Sequence, residues 1–290
     1  MFTRPGHILP LLLIAISASL FPIETFGELS FAFFVEILKA LVPTFFIIIA
    51  GAGLNNLYDI EIDKINKPHL PLPSGDISME TGIAITSASF AMAFGMAIML
   101  SPPLLFSLLI LFLSVCVYSI DLPLLRWKKH PFSSTICGIS WFQSIQFGFF
   151  THIQKYVLGK PLAVTKSLVF SITIGSFFSI VFNLVKDIPD VEGDQAFGVQ
   201  SVSMKLGKEN VFWLCIEMLL MAYGAAVVVG ATLSSLSNRL IIIIGHCLFA
   251  TLLLFQLQSV DLSSNTSIRS FYMFLWKLLS AEYLLIPFVR

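Results

Sequence analysis

Long apolar runs separated by short polar connections dominate the chain, and nine of them approach the roughly 20 residues that a helix needs to cross a bilayer. They cover residues 7–22, 31–54, 80–100, 104–120, 133–151, 162–185, 211–233, 240–257 and 271–289. The first is short and the last carries Lys277 and Glu282, so a count of eight follows if either fails to span. Those two charges read as a helix-end pair or as snorkelling anchors. Short loops between such runs leave no room for a separate soluble domain. Residues 1–290 therefore read as one polytopic, all-α integral membrane domain, a bundle of nine transmembrane helices.

Composition agrees: 57% of the residues are hydrophobic, 12% are charged, and the mean hydropathy is +0.90. The lipid bilayer is the expected surrounding. Seventeen basic and seventeen acidic side chains balance, which removes the electrostatic case for nucleic acid as a partner. Cys116, Cys137, Cys215 and Cys247 are isolated within apolar runs and read as small core residues. Alternating spans put Arg4, Lys64, Lys67, Arg126, Lys128, Lys129, Lys186, Lys205, Lys208 and Arg269 on one side of the membrane. Lys155, Lys160, Lys166, Arg239 and the terminal Arg290 fall on the other. The side with the excess is expected to be cytosolic, stromal or matrix. Arg4 followed by "ILPLLLIAISASL" has the form of a signal peptide, yet eight further spans follow, and a Ser- and Arg-rich transit peptide is not evident.

Two polar stretches end apolar runs on the basic side. In "NNLYDIEID", Asn55, Asp59 and Asp63 are spaced i, i+4, i+8, which aligns them on one face if the helix continues past Leu54. Glu61 is rotated about 200° from Asp59 and points elsewhere. Pro68, Pro71, Pro73 and Gly75 then make a stiff loop. In "KDIPDVEGD", Asp187, Asp190 and Asp194 are spaced i, i+3, i+7, again one helical face. Asn183, four residues before Asp187, echoes Asn55 before Asp59, the trace of an internal duplication.

A lone D-x-x-x-D at a helix end is usually a solvated face, but two such clusters at one membrane depth, each beside bases, ask for a cation. Intramembrane acids are otherwise costly, and six converging carboxylates repel one another. Mg²⁺ takes oxygen ligands and is commonly held by a few carboxylates together with substrate phosphates. Lys64, Lys67, Arg126, Lys128 and Arg4 supply the complement for phosphate oxygens. Acids, Mg²⁺ and bases together describe a diphosphate site. The 28 Phe residues are mainly packing, though a few aromatics could shield a carbocation.

These motifs resemble the UbiA superfamily of membrane prenyltransferases, whose signature is N-(D/Q)-x-x-D-x-x-x-D followed by a second Asp-rich motif. "DIEIDKINKPHLPLPSGD", "YSIDLPLLRWKK", "KDIPDVEGDQAFGVQSVSMKLG" and "SFYMFLWKLLSAEYLLIPFVR" are similar to plant plastid aromatic prenyltransferases of the homogentisate, flavonoid and coumarin type. The resemblance implies a nine-helix bundle of UbiA type in a plastid membrane. It also implies Mg²⁺-dependent transfer of a prenyl group from a prenyl diphosphate donor to the ring of a phenolic acceptor. By the same resemblance the metal role falls on Asn55, Asp59, Asp63, Asp187, Asp190 and Asp194, with Asp59, Asp63, Asp187 and Asp194 catalytic. Diphosphate binding falls on Arg4, Lys64, Lys67, Arg126, Lys128 and Lys186. Asn56 departs from the usual Asp or Gln, and "RPGH" from the usual His after Pro. The segments 64–75 and 194–207 are placed to close over the site and exclude water. Three alternatives stay open. They are a UbiA-type enzyme with a non-phenolic acceptor, a CDP-alcohol phosphotransferase, whose D-G-x-x-A-R opening is absent, and a transporter, which would place polar groups and helix breaks near the midplane.

Overall fold

The computed structural model describes residues 5–290, and the side chains from Ile8 onward. In chain order the helices are α1 Pro5–Leu20, α2 Phe31–Tyr58, α3 Ile60–Asn66, α4 Pro71–Ser74, α5 Met79–Ala97, α6 Pro102–Ser119 and α7 Pro131–Thr151. They continue with α8 Lys166–Asp187, α9 Val191–Ala196, α10 Val202–Leu206, α11 Lys208–Ala231, α12 Leu236–Leu257 and α13 Asn265–Leu285. No strand occurs among the described residues. Among the described residues six helices are long and apolar enough to cross a membrane by length and composition: α2, α6, α8, α11, α12 and α13 with its extension to Phe288.

The long helices α1, α5 and α7 fall outside that set. In α7 the shortfall has a local cause, because its polar residues are satisfied by neighbouring helices rather than by water. Gln143 donates to the Ile172 carbonyl at 3.1 Å. Gln146 donates to the Tyr283 hydroxyl at 2.8 Å and accepts from Ser171 at 2.5 Å. Such bonds make a polar helix tolerable inside an apolar bundle. Span 162–185 begins later than its hydropathy suggests: Thr165 caps α8 by accepting from the Leu168 amide at 3.2 Å, a favourable N-cap.

The chain runs the same course twice. A long helix, α2 or α8, breaks at an aspartate with nearly the same backbone angles, Asp59 at φ −108°, ψ 8° and Asp190 at φ −99°, ψ 4°. Each break leads to a short helix, α3 or α9, then a shorter one, α4 or α10, ending at a glycine with φ near +85° (Gly75 and Gly207). Three long helices follow in each half. The repeat therefore pairs Asp59 with Asp190 and Asp63 with Asp194, and it sets Lys186 where Asn55 stands. The proposed echo of Asn55 in Asn183 is thus out of register. Asn183 lies a turn earlier and accepts from the Ser134 hydroxyl at 3.1 Å.

The larger of two buried apolar clusters among the described residues runs through α1, α2, α5 to α8 and α11 to α13; a smaller one gathers Ile23, Phe33, Ile37 and Ile153. The chain ends are pinned to the larger: Ser17 donates to the Tyr283 carbonyl at 2.6 Å and Ser167 to the Val289 carbonyl at 2.7 Å. Glu282 is no helix-end charge. It is wholly buried, and its Oε1 lies 2.8 Å from Nε2 of the equally buried His246, because α12 presents that imidazole to α13 inside the bundle.

Candidate active site

Neither acidic motif rides on one continuous helix. The bridge-region angles at Asp59 and Asp190, a conformation often found at functional sites, turn the chain so that α3 and α9 pack against each other across the ends of α2 and α8. Asp59, Asp63, Asp190 and Asp194 are all buried as a result. Glu61 and Lys64 face outward and pair with each other at 2.7 Å, both side chains more than half exposed. Glu61 pointing away from the acids therefore holds in three dimensions, but Lys64 is also carried away from the site by the short helix it belongs to.

The acids line a chamber of about 540 Å³, with Asn55, Asp59, Asp63, Asn66, Lys67, Tyr118, Lys128, Lys186, Asp187, Asp190, Asp194, Arg269 and Tyr272 on its walls. Asn55 donates to Asp59 Oδ2 at 2.5 Å. Lys128 pairs with Asp59 Oδ1. Arg126 approaches the same oxygen at 3.5 Å, and also donates to the Tyr58 carbonyl at 3.2 Å. Arg126 itself is buried outside the chamber lining and meets Asp59 from behind. Its left-handed backbone, φ +58°, follows Leu124 at φ +69°. Two such angles in bulky residues mark a turn held in place by its surroundings.

The second half supplies the opposite wall. Lys67 lies 3.6 Å from Asp63 Oδ1 and also pairs with Asp190 Oδ2. Lys186 donates to the Tyr118 hydroxyl at 2.6 Å and stands 3.7 Å from Asp187. Asp194 has its carboxyl pushed up to about 7, first by burial and then by the charges of Asp187 and Asp190. Arg4 lies outside the described residues. Arg269 and Tyr118 are site residues that sequence spacing missed, since each comes from a helix far from either motif. The excess of bases on one membrane side was the only signal that included Arg269.

The donor set fits a hard divalent cation: it is all oxygen, largely buried, and flanked by amines. Among the described residues no three Asp, Glu, His or Cys side chains stand close enough together to hold a metal ion by themselves. That is expected where substrate oxygens and water complete the sphere.

Beneath the chamber lies an apolar cavity of about 190 Å³, which shares Asn55, Tyr118, Lys186 and Tyr272 with it. Phe182 stacks on Trp276 at 4.3 Å between ring centres, and Phe142 lies nearly parallel to both, 6.2 Å from Phe182 and 6.1 Å from Trp276. Trp141 meets Tyr118 edge-on at 5.2 Å. Aromatic side chains therefore line the space next to the acids.

Fold and site together define a helical membrane protein with an ion-lined mouth over an aromatic pocket. The chain belongs to the UbiA prenyltransferase family, which it matches over residues 11–278. It is 47% identical to coumarin 8-geranyltransferase 1, chloroplastic, of Citrus limon, the alignment covering 100% of this chain and 72% of that protein. It is 44% identical to homogentisate phytyltransferase 1, chloroplastic, of Arabidopsis thaliana, over 100% of this chain and 74% of that protein. Among solved structures, a UbiA homolog from Aeropyrum pernix K1 aligns with a TM-score of 0.67 at 18% identity, covering 97% of this chain and 95% of that one. A UbiA homolog from Archaeoglobus fulgidus bound to GPP and Mg²⁺ aligns with a TM-score of 0.65 at 16% identity, covering 99% and 98%. At these identities the structural likeness establishes the fold. The protein is a prenyltransferase.

Proposed function

We propose that this protein moves a prenyl group from a prenyl diphosphate to a ring carbon of a phenolic acceptor, in a plastid membrane crossed by nine of its helices. The observation that carries the reading is the adjacency of the two cavities: the acid- and amine-lined chamber and the aromatic pocket share Asn55, Tyr118, Lys186 and Tyr272 as a common wall. The chloroplastic relatives that prenylate coumarin and homogentisate support the acceptor class and the compartment.

Asn55, Asp59, Asp63, Asp187 and Asp194 would hold Mg²⁺ at the chamber. Once bound, Mg²⁺ would offset the charge that develops on the departing diphosphate. Lys67, Lys128 and Lys186 contribute fixed positive charge to the same end, most valuable where water is sparse. Arg126 orients Asp59 from outside the chamber lining. The stack of Phe142, Phe182 and Trp276 offers π faces to an allylic cation, an attraction worth about 0.5–2 kcal/mol per contact. A phenol held in that pocket would attack through carbon and then lose the ring proton. The segments 64–75 and 194–207, with Lys129 accepting from the Gln200 amide at 2.8 Å, close the mouth against water.

The test is incubation of the protein in nanodiscs with Mg²⁺ and a matrix of prenyl diphosphates and phenols, with products identified by mass. Ring-prenylated phenol with equimolar diphosphate is the expected result. Product confined to non-phenolic acceptors would overturn the acceptor class.

A further inference from the structure

Polar groups on the wall of the apolar pocket divide into matched and unmatched. Ser119 Oγ on α6, the Trp141 indole N–H on α7 and Ser179 Oγ on α8 belong to residues that line it, and none of these atoms has a hydrogen-bond partner among the described residues. Both serines are 0% exposed. Their neighbours on the same wall are matched: Asn55 to Asp59, Tyr118 to Lys186, and Asn183 to the Ser134 hydroxyl and the Ser179 carbonyl. A serine within a helix can return its hydroxyl to the carbonyl four residues back, as Ser114, Ser176 and Ser280 do at 2.8 Å. Ser119 and Ser179 do not. Ser179 Oγ lies instead against α7 where Gly138 leaves a notch, since a Cβ there would stand 2.8 Å from it.

A buried polar group without a partner is costly, so the chemistry of these three says what the wall is built to meet. A prenyl chain is hydrocarbon and would leave all of them unsatisfied. An oxygen on an aromatic ring would not. The indole N–H can only donate, which asks for a lone pair, and a serine hydroxyl can donate or accept. Size agrees with a single ring: a cavity of about 150 Å³ takes one benzene, and this one measures about 190 Å³. We propose that Ser119, Trp141 and Ser179 read the acceptor, selecting a ring that carries at least one oxygen besides the hydroxyl that activates it. The proposal rests on the phenolic reading above and deepens it. It makes the acceptor a polyoxygenated ring, and it gives the choice among rings to three groups from three helices, none of them in either acidic motif.

Two measurements on the full protein in nanodiscs test it. Equilibrium dialysis, corrected with empty nanodiscs, compares resorcinol with m-cresol, which puts a methyl where the second hydroxyl stands. The native protein is expected to hold resorcinol about tenfold more tightly, the worth of one well-made buried hydrogen bond. In Trp141→Phe, which keeps a ring and deletes the N–H, and in Ser179→Ala, that preference should fall to about twofold or less while m-cresol binds as before. Equal affinity for the two rings in the native protein, or an equal loss of both in the variants, would overturn the proposal. The second measurement is thermal unfolding of the ligand-free protein. Ser179→Ala should unfold at or above the native temperature, because a hydroxyl without a protein partner adds nothing to the fold. A marked fall would show that the hydroxyl serves packing, and would also overturn the assignment. The dialysis needs no transfer, so a product screen that yields only non-phenolic products would sink the acceptor class separately from this wall.

Discussion

Breaking the buried pair between α12 and α13 should cost more stability than any change in the chamber. His246 Nδ1 lies 2.7 Å from the Ile242 carbonyl, which can only accept, so that nitrogen carries a hydrogen. Nε2 then shares one proton with Glu282 Oε1 at 2.8 Å, whichever atom holds it. Both side chains have 0% exposure, so water cannot replace a lost partner. Glu282→Ala is expected to destabilise by about 3–5 kcal/mol, the range for removing one member of a buried pair. Glu282→Gln retains a donor for Nε2 and should cost about 1 kcal/mol, the net worth of a hydrogen bond. His246→Leu combined with Glu282→Met removes both polar groups and should recover much of the loss. Thermal unfolding in nanodiscs over the full double-mutant cycle measures the coupling. Neither residue lines either cavity, so kcat/KM of the folded fraction should be nearly unchanged. A coupling energy near zero would refute the shared-proton geometry.

Other consequences are simpler to read. Asp59→Ala should remove nearly all activity at normal membrane insertion while Glu61→Ala stays close to native, since Glu61 pairs outward with Lys64; equal losses at equal expression would contradict the chamber geometry. Arg126→Ala should raise the half-saturating Mg²⁺ concentration together with the prenyl diphosphate KM, because it acts through Asp59; a change confined to the phenol KM would move Arg126 to the acceptor pocket. Cysteines at Asp76, Lys129 and Gln200 should label from one side of a sealed vesicle and those at Lys155 and Ser235 from the other, any mixing overturning the span order. Asp194, raised to about 7 by burial and by Asp187 and Asp190, with Lys67 and Lys186 opposing, is protonated below that pH. Mg²⁺ must then displace a proton, so its affinity should fall as the pH drops from 8 to 6. A carboxyl raised in the folded state favours folding while protonated, so the metal-free protein should lose stability as the pH rises from about 4 to 7. Asp194→Asn should flatten both profiles.

The sequence by itself determined the medium, the helical class, the helix boundaries to within about six residues, and which stretches are unusually acidic for the ends of apolar runs. Each of these follows from local properties: apolar length decides whether a segment enters a bilayer, and acids beside a span are too costly to be idle. Glu61's direction was also legible, because 3.6 residues per turn is a local rule and α3 obeys it. What spacing along the chain does not contain is where a helix breaks and what meets it from afar. The breaks at Asp59 and Asp190 turned two straight acidic faces into the walls of a chamber and sent Lys64 outward with Glu61. The same folding brought Arg269 from α13 to Asp190, set Arg126 behind Asp59, and matched His246 to Glu282 across the bundle core. Those partners lie in separate helices, and their meeting is settled by packing, where a buried charge is tolerated only if another element delivers its complement.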